Sequence, residues 1–501
     1  MTMVGHRAAD VGAGADHPTS WRGPVAAVAV VGAAVCSLPV GGTSFSLDES
    51  VSTTLAVSSW HSFTQTVIHR EANMSLYFVL LRAWIHLGHS EIVVRALSVL
   101  AAVAALVVVM VVARRLFDRR TALICGVLLA VDPLLVMFGQ EARGYALSLL
   151  LVSTSSALFV RGIQAPAGRG TWAAYALVSA LAAYANFWAA LVPLAHAVSL
   201  AALPRGRVPW RRLVPTFVGL GVLLVPLALL IRSTDNSGVN WAAGSSAGRL
   251  ISKVRADVPH PVIDIAVVLV VVVTAAVAVA LRRHPRTRGL VDHWPVAFAL
   301  SWLVVPVAAV VLLSLAYKPL LVVRYLVVCL PPLLILVSWG LARLRGRGAV
   351  VVAAGLVVAS GAGLGVLASR GSPQQWSDAV AAVAARARPG DGVVIFAPYN
   401  RIPFEWYLHD HGAAASLLHP LFPAGSWDED ALRYDTSIAV RASAIGADVT
   451  GYHRVWVVLS AQQLYPAQDR ALLAGLRSAG LAPGPSWSFH GVEVVRYVDR
   501  R

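Results

Sequence analysis

Apolar stretches of about 17 to 25 residues, each long enough to cross a hydrocarbon core of about 30 Å, recur from Val25 to Ser369. Eleven are expected: residues 24–42, 91–113, 121–139, 145–160, 171–188, 189–203, 213–231, 261–281, 294–315, 325–342 and 348–369. Lipid offers no partner to a bare backbone, so such stretches become helices. Charged residues make up only 13% of the chain, about half of the roughly 25% usual in soluble domains, which excludes a soluble enzyme or a disordered protein. Arg7 and Arg22 precede the first stretch as they would in a signal peptide, but ten more stretches follow and no small-residue cleavage site does, so it reads as an uncleaved helix.

The net charge of +16 would suggest a nucleic-acid partner only if it collected on one soluble face. It does not. With the N-terminus inside, every inner loop is Arg-rich: 114–120, 161–169, 205–212, 282–288 and 343–347. The predicted organisation is a cytoplasmic tail over residues 1–23, a membrane domain over 24–369 with a long outer loop at 41–90, and a domain outside the membrane over 370–501. In that last segment 12 Arg balance 12 acids and the apolar runs shorten to strand length (392–398, 455–460, 492–498) between helical ones (377–387, 469–480), which predicts an α/β domain with a partly parallel sheet. Within the outer loop, LYFVLLRAWIHL (76–87) is too short to span and suits a helix lying in the interface. Cys36, Cys125 and Cys329 fall in apolar runs, so neither a disulfide nor a zinc site is expected.

Three outward clusters could carry chemistry. Asp48-Glu49 follows the first span, where acids beside hydrocarbon point to function unless Asp48 merely caps a helix. In QEARGYAL (140–147), Glu141 and Tyr145 share a face if the helix begins there, and Arg143 beside a helix N-terminus suits a phosphate. The competing reading is an ion pair from Glu141 to Arg143 or Arg95 that pins two helices. The third cluster is Tyr317-Lys318-Pro319 through Arg324-Tyr325, where snorkelling to headgroups is the alternative.

Asp48-Glu49, REANMSLYFVLLRAWIHLG (70–88), EIVVRALSVL (91–100), RRLFDRR (114–120), QEARGYAL, YKPLLVVRYLVVCLPPLL (317–334) and QQWSDAVAAVAARARPGDGVVIF (374–396) follow one another in an order that resembles the family 39-like GT-C membrane glycosyltransferases. These are relatives of the protein mannosyltransferases and aminoarabinose transferases. The resemblance implies a GT-C-like fold, and with the eleven apolar stretches the expected class is a polytopic α-helical membrane protein of about 11 transmembrane helices with a C-terminal extracytoplasmic α/β domain. It also implies a polyprenyl-phosphate sugar donor, a hydroxyl acceptor on a glycan, lipid or secreted protein, and inversion at the anomeric carbon, with a mannose-type sugar in keeping with the relatives. Carried over, Asp48 matches the catalytic acid with Glu49 in support. Glu141, Arg143, Tyr145, Lys318, Arg324 and Tyr325 fall at donor and phosphate positions, and Glu71, Asn73, Tyr77 and Arg95 at acceptor or loop-support positions. Where many relatives have His-Pro-Pro this chain has Asn73-Met74-Ser75, and Ala185-Asn186 stands where many have Thr-His, so neither sugar nor acceptor is inherited from any one relative.

No cofactor is required by the sequence, although Asp48, Glu49 and Glu141 offer hard oxygens to a divalent cation. A transporter or flippase of lipid-linked sugars is the alternative class; it would place ionisable groups near the midplane, whereas here the clusters gather at the outer boundary, apart from Asp132 about one third of the way into the third span, and Asp132-Pro133 reads as a helix irregularity.

Overall fold

The computed structural model describes residues 19–38, 42–233, 293–316, 323–344, 347–371, 374–427, 432, 442–460 and 466–499. Helix α1 (Thr19–Ser37) leads to an outer loop that folds into three short helices, α2 (Leu47–Val57), α3 (Trp60–His69) and α4 (Ser75–Trp84). The 26-residue α5 (Glu91–Leu116) then crosses the bundle. It is apolar on all sides, as a helix buried among helices must be, and its small residues Ala101, Ala102, Ala105 and Ala113 are buried where neighbours approach closely. Beyond it come α6 (Arg119–Ala130), α7 (Pro133–Gly139), α8 (Tyr145–Gln164), α9 (Arg169–Ala185), α10 (Leu191–Ser199), α11 (Trp210–Ser233), α12 (Trp294–Ala316), α13 (Leu330–Arg343) and α14 (Arg347–Arg370).

Eleven spans overstates the count. Among the described residues six helices are long and apolar enough to cross a membrane, or seven if the bent pair α6–α7 is one span. The expected 121–139 span is broken: α6 and α7 meet at 58°, because Pro133 cannot continue α6 and Asp132 caps α7 by accepting from Leu134 N at 2.9 Å and Leu135 N at 3.1 Å. The 171–188 stretch yields the 17-residue α9, which ends where Asn186 takes an extended backbone, and 189–203 becomes a mixture of 3₁₀ turns and the nine-residue α10. Over Trp21–Ser37, α1 is likewise a shorter apolar helix. Apolarity alone thus overcounted, because length was spent on breaks and caps. The 261–281 stretch lies outside the described residues.

After α14 the chain forms α15 (Trp376–Ala384), β1 (Asp391–Phe396), α16 (Arg401–His409), β2 (Leu418–Phe422), α17 (Ala442–Asp448), β3 (Arg454–Leu459), α18 (Pro466–Ser478), β4 (Leu481–Phe489) and β5 (Val492–Asp499). The sheet order is β2-β1-β3-β5-β4, with β1 parallel to both β2 and β3, and β5 antiparallel to β3 and β4. Strand β1 is buried along its whole length, as a central parallel strand covered on both faces should be. The molecule is therefore a multi-pass membrane protein with a C-terminal α/β domain outside the membrane.

Candidate active site

Asp48 and Glu49 lie in the first turn of α2, and their surroundings differ sharply. Ser46 caps this helix: its hydroxyl accepts from Glu49 N at 3.3 Å while Glu49 Oε2 accepts from Ser46 N at 3.0 Å. That reciprocal pair is a capping box, so Asp48 is not the cap considered from the sequence, and the Ser46-x-x-Glu49 spacing already carried the signal. The same Glu49 carboxylate receives Arg95 Nε at 2.8 Å and Nη2 at 2.9 Å, and Ala142 N at 3.1 Å. Arg95 also donates to the carbonyls of Thr43 and Ser44. Only 4% exposed, Glu49 is a bolt joining α2, α5 and the turn before α8. The pinning ion pair here is Arg95–Glu49, in place of the Glu141–Arg143 or Glu141–Arg95 pair expected as the competing reading.

Asp48 faces the other way, with 41% of its side-chain surface accessible. Its Oδ2 accepts from Arg324 Nη1 at 3.0 Å, and its main-chain carbonyl accepts from Arg143 Nη1 at 3.3 Å. Three residues from α2, the turn before α8 and the segment before α13 thereby meet at one point. Arg143 is buried and its Nε is a buried donor with no hydrogen-bond partner among the described residues. Helix α8 begins at Tyr145, the start of the expected 145–160 span, so Glu141 and Arg143 sit in the turn before it and Glu141 shares no helix face with Tyr145. Tyr325 stacks on Trp188 at 5.3 Å, and Tyr145 packs on Phe138 at 4.9 Å.

Loop-support residues sit one layer back. Asn73 Oδ1 accepts from Phe187 N at 3.1 Å, Tyr77 exchanges a hydrogen bond with Ser98 at 2.9 Å, and Met74, at φ 69°, lays its sulfur against Gly144 N. Glu71 belongs to the electrostatic cluster of Asp48, Arg143 and Arg324. Lys318 lies outside the described residues.

Desolvation raises every acid of the cluster, and the neighbouring charges decide whether that rise survives. It pushes Asp48 upward, but the charges of Arg143 and Arg324 outweigh it and hold the carboxyl below its usual range. For Glu141, burial reinforced by the Asp48 charge wins, and its pKa is pushed up to about 8. Glu71 is raised by burial too. Asp48 is thus held toward its ionised form, while Glu141 favours its protonated form at neutral pH and Glu71 is displaced in the same direction. Both Glu49 oxygens are committed to hydrogen bonds, and among the described residues no three His, Cys, Asp or Glu gather as a ligand group. A cleft of about 700 Å³ lined by Arg119, Leu123 and Val357 opens near the N-terminus of α6, at the far end of α5 from Arg95. It is apolar and lacks the acid and cation set assembled around Asp48.

Residues 70–231 match the family described as dolichyl-phosphate-mannose-protein mannosyltransferase. No curated protein matches the chain by sequence. Among solved structures the chain is similar to ArnT from Cupriavidus metallidurans bound to undecaprenyl phosphate (16% identity, TM-score 0.57, covering 96% of this chain and 98% of that one). It is also similar to the Archaeoglobus fulgidus oligosaccharyltransferase in complex with zinc and sulfate (13% identity, TM-score 0.54, 95% and 73% covered). A third is the same organism's AglB with an inhibitory peptide and a dolichol-phosphate (12%, TM-score 0.54, 95% and 74%). The chain thus shares its fold with these solved membrane glycosyltransferases, and its residues 70–231 match the mannosyltransferase family model.

Proposed function

We propose that the protein is an inverting glycosyltransferase that moves a sugar, of mannose type first among those to test, from a polyprenyl phosphate to a hydroxyl acceptor on the outer face of the cytoplasmic membrane. The N-terminus would lie inside and the α/β domain outside, as the Arg-rich inner loops require. The observation that carries this reading is the convergence of Asp48, Arg324 and Arg143 from three distant segments. The family match and the polyprenyl phosphates named for two similar structures agree with it.

In the proposed step the acceptor oxygen attacks the anomeric carbon from the face opposite the phosphate. The new C–O bond forms as the sugar–phosphate C–O bond breaks, and the polyprenyl phosphate leaves with the electron pair. The hydroxyl proton passes to the Asp48 carboxylate. Arg324 and Arg143 hold the leaving phosphate as its charge develops. Arg324 is paired with Asp48 at rest, so a phosphate arriving at Arg324 competes for that guanidinium. Losing a cationic partner raises the Asp48 pKa, which makes the carboxylate a better base once donor is bound. A protonated Glu141 adds a hydrogen-bond donor beside the anion.

Purified protein supplied with a panel of polyprenyl-phosphate hexoses and extracted envelope acceptors should release polyprenyl phosphate and a glycosylated product. Substrate flux across proteoliposomes with no covalent product would instead establish the flippase reading.

A further inference from the structure

The segment that carries Asp48 is tied down by the outer domain. Tyr407 of α16 places its hydroxyl between two distant groups: it accepts from Phe45 N at 2.6 Å and donates to Glu91 Oε1 at 2.9 Å, the first residue of α5. Gln374 Oε1 accepts from Leu47 N at 3.3 Å, and the Ser44 hydroxyl bonds Ser377 Oγ at 2.8 Å and accepts from Ser377 N at 3.2 Å. The Phe45 ring packs edge-on to Trp406 at 5.9 Å and lies under Arg95 at 5.2 Å. Phe45 and Leu47 flank the cap Ser46, and they stand three residues and one residue before Asp48. Amide groups at a helix start have no partner within the helix, so something else must satisfy them. The capping box serves Ser46 N and Glu49 N, and the outer domain serves Leu47 N together with Phe45 N just before the cap.

We infer that the outer domain is a positioning device for Asp48, with Tyr407 as its central residue, bridging the start of α2 to α5 so that the carboxylate is held at a fixed height over Arg324. This rests on the transferase reading above. Tyr407 touches no reacting group in that scheme and acts only through the backbone it holds. Its hydroxyl is buried and doubly used, so removing the oxygen leaves Phe45 N without its acceptor while the ring stays packed at 6.3 Å from Phe45. Other ties hold the domain in place without it: Arg70 Nη1 donates to Leu432 O at 2.7 Å, and Trp406 stacks on His89 at 6.3 Å. Tyr407→Phe therefore loosens the α2 start without detaching the domain.

The test uses the full chain in lipid nanodiscs. Hydrogen exchange in Tyr407→Phe should quicken about tenfold at the amides of residues 45–48 and stay unchanged in α5. Binding of undecaprenyl phosphate, used as the probe, should be unaltered. Turnover on whichever polyprenyl-phosphate hexose the wild type uses should fall about tenfold or more in kcat with the donor KM kept, because a misplaced group costs rate more than affinity. Glu91→Gln keeps an acceptor for Tyr407 and should behave as wild type, whereas Glu91→Ala should resemble Tyr407→Phe. Unchanged exchange at 45–48 in Tyr407→Phe would overturn the clamp, and so would unchanged kcat in a protein whose Asp48→Asn variant is inactive. If Asp48→Asn itself retains transfer, the site reading fails instead, and the exchange result still decides whether Tyr407 holds the segment.

Discussion

Asp48 and Glu49 are chemically alike and adjacent, yet only one is available for chemistry. Glu49 has both oxygens committed to Arg95, Ser46 and Ala142 N, while Asp48 keeps an accessible carboxylate against Arg324. Arg95→Ala should accordingly be a stability defect, about 3–5 kcal/mol from stranding a buried charge, read as a lower midpoint of thermal unfolding in detergent. Asp48→Asn should leave that midpoint close to wild type. Glu141 makes a separate prediction. Its pKa lies near 8 in the folded protein against an ordinary 4.5, so the folded state holds the extra proton between those values and loses stability as pH rises through the window. Glu141→Gln should flatten the fall in unfolding midpoint between pH 4.5 and 8, and an unchanged slope would refute the assignment.

At the scale of elements, the start of α8 depends on a close approach. A Cβ on Gly144 would lie 2.6 Å from Ala185 O and 3.1 Å from Met74, and a backbone carbonyl cannot swing aside. Gly144→Ala should therefore push the Glu141–Arg143 turn away from α9 and lower both stability and transfer, whereas Gly170→Ala, with open space around it, should do neither. Such features mark the limit of what the amino-acid order discloses. Apolar runs located the helices α5, α8, α11, α12 and α14 because lipid imposes their length. They could not reveal that α9 stops at Asn186, since that end is set by the Asn73 loop packed against it. Strands β2 and β4 went unread for a different reason. Pro420, Pro483 and Pro485 look like turn residues, but both strands are sheet edges, where a missing N–H costs no ladder bond. The Asp48–Arg324 contact joins residues 276 apart, and only the assembled bundle brings them together.

For the whole molecule, the first Arg-rich loop and the acid–cation cluster fall at opposite ends of α5: Arg114 and Arg115 close one end, and Arg95 lies one turn from the other. The net charge of +16 is in this sense a matter of orientation, and the balanced charges beside the outer domain are where the chemistry is proposed. Alkaline phosphatase fused after Arg501 should be active in cells, and an inactive but intact fusion would invert the proposed topology. The central claim is that Asp48 receives the acceptor proton during transfer from a polyprenyl phosphate. The most direct measurement compares release of polyprenyl phosphate, together with formation of glycosylated product, by wild type and Asp48→Asn protein of equal folding in matched nanodiscs. A loss of about 10² to 10⁴ in rate is predicted for the variant, the range a positioned general base supplies. Transfer within a fewfold of wild type would contradict it.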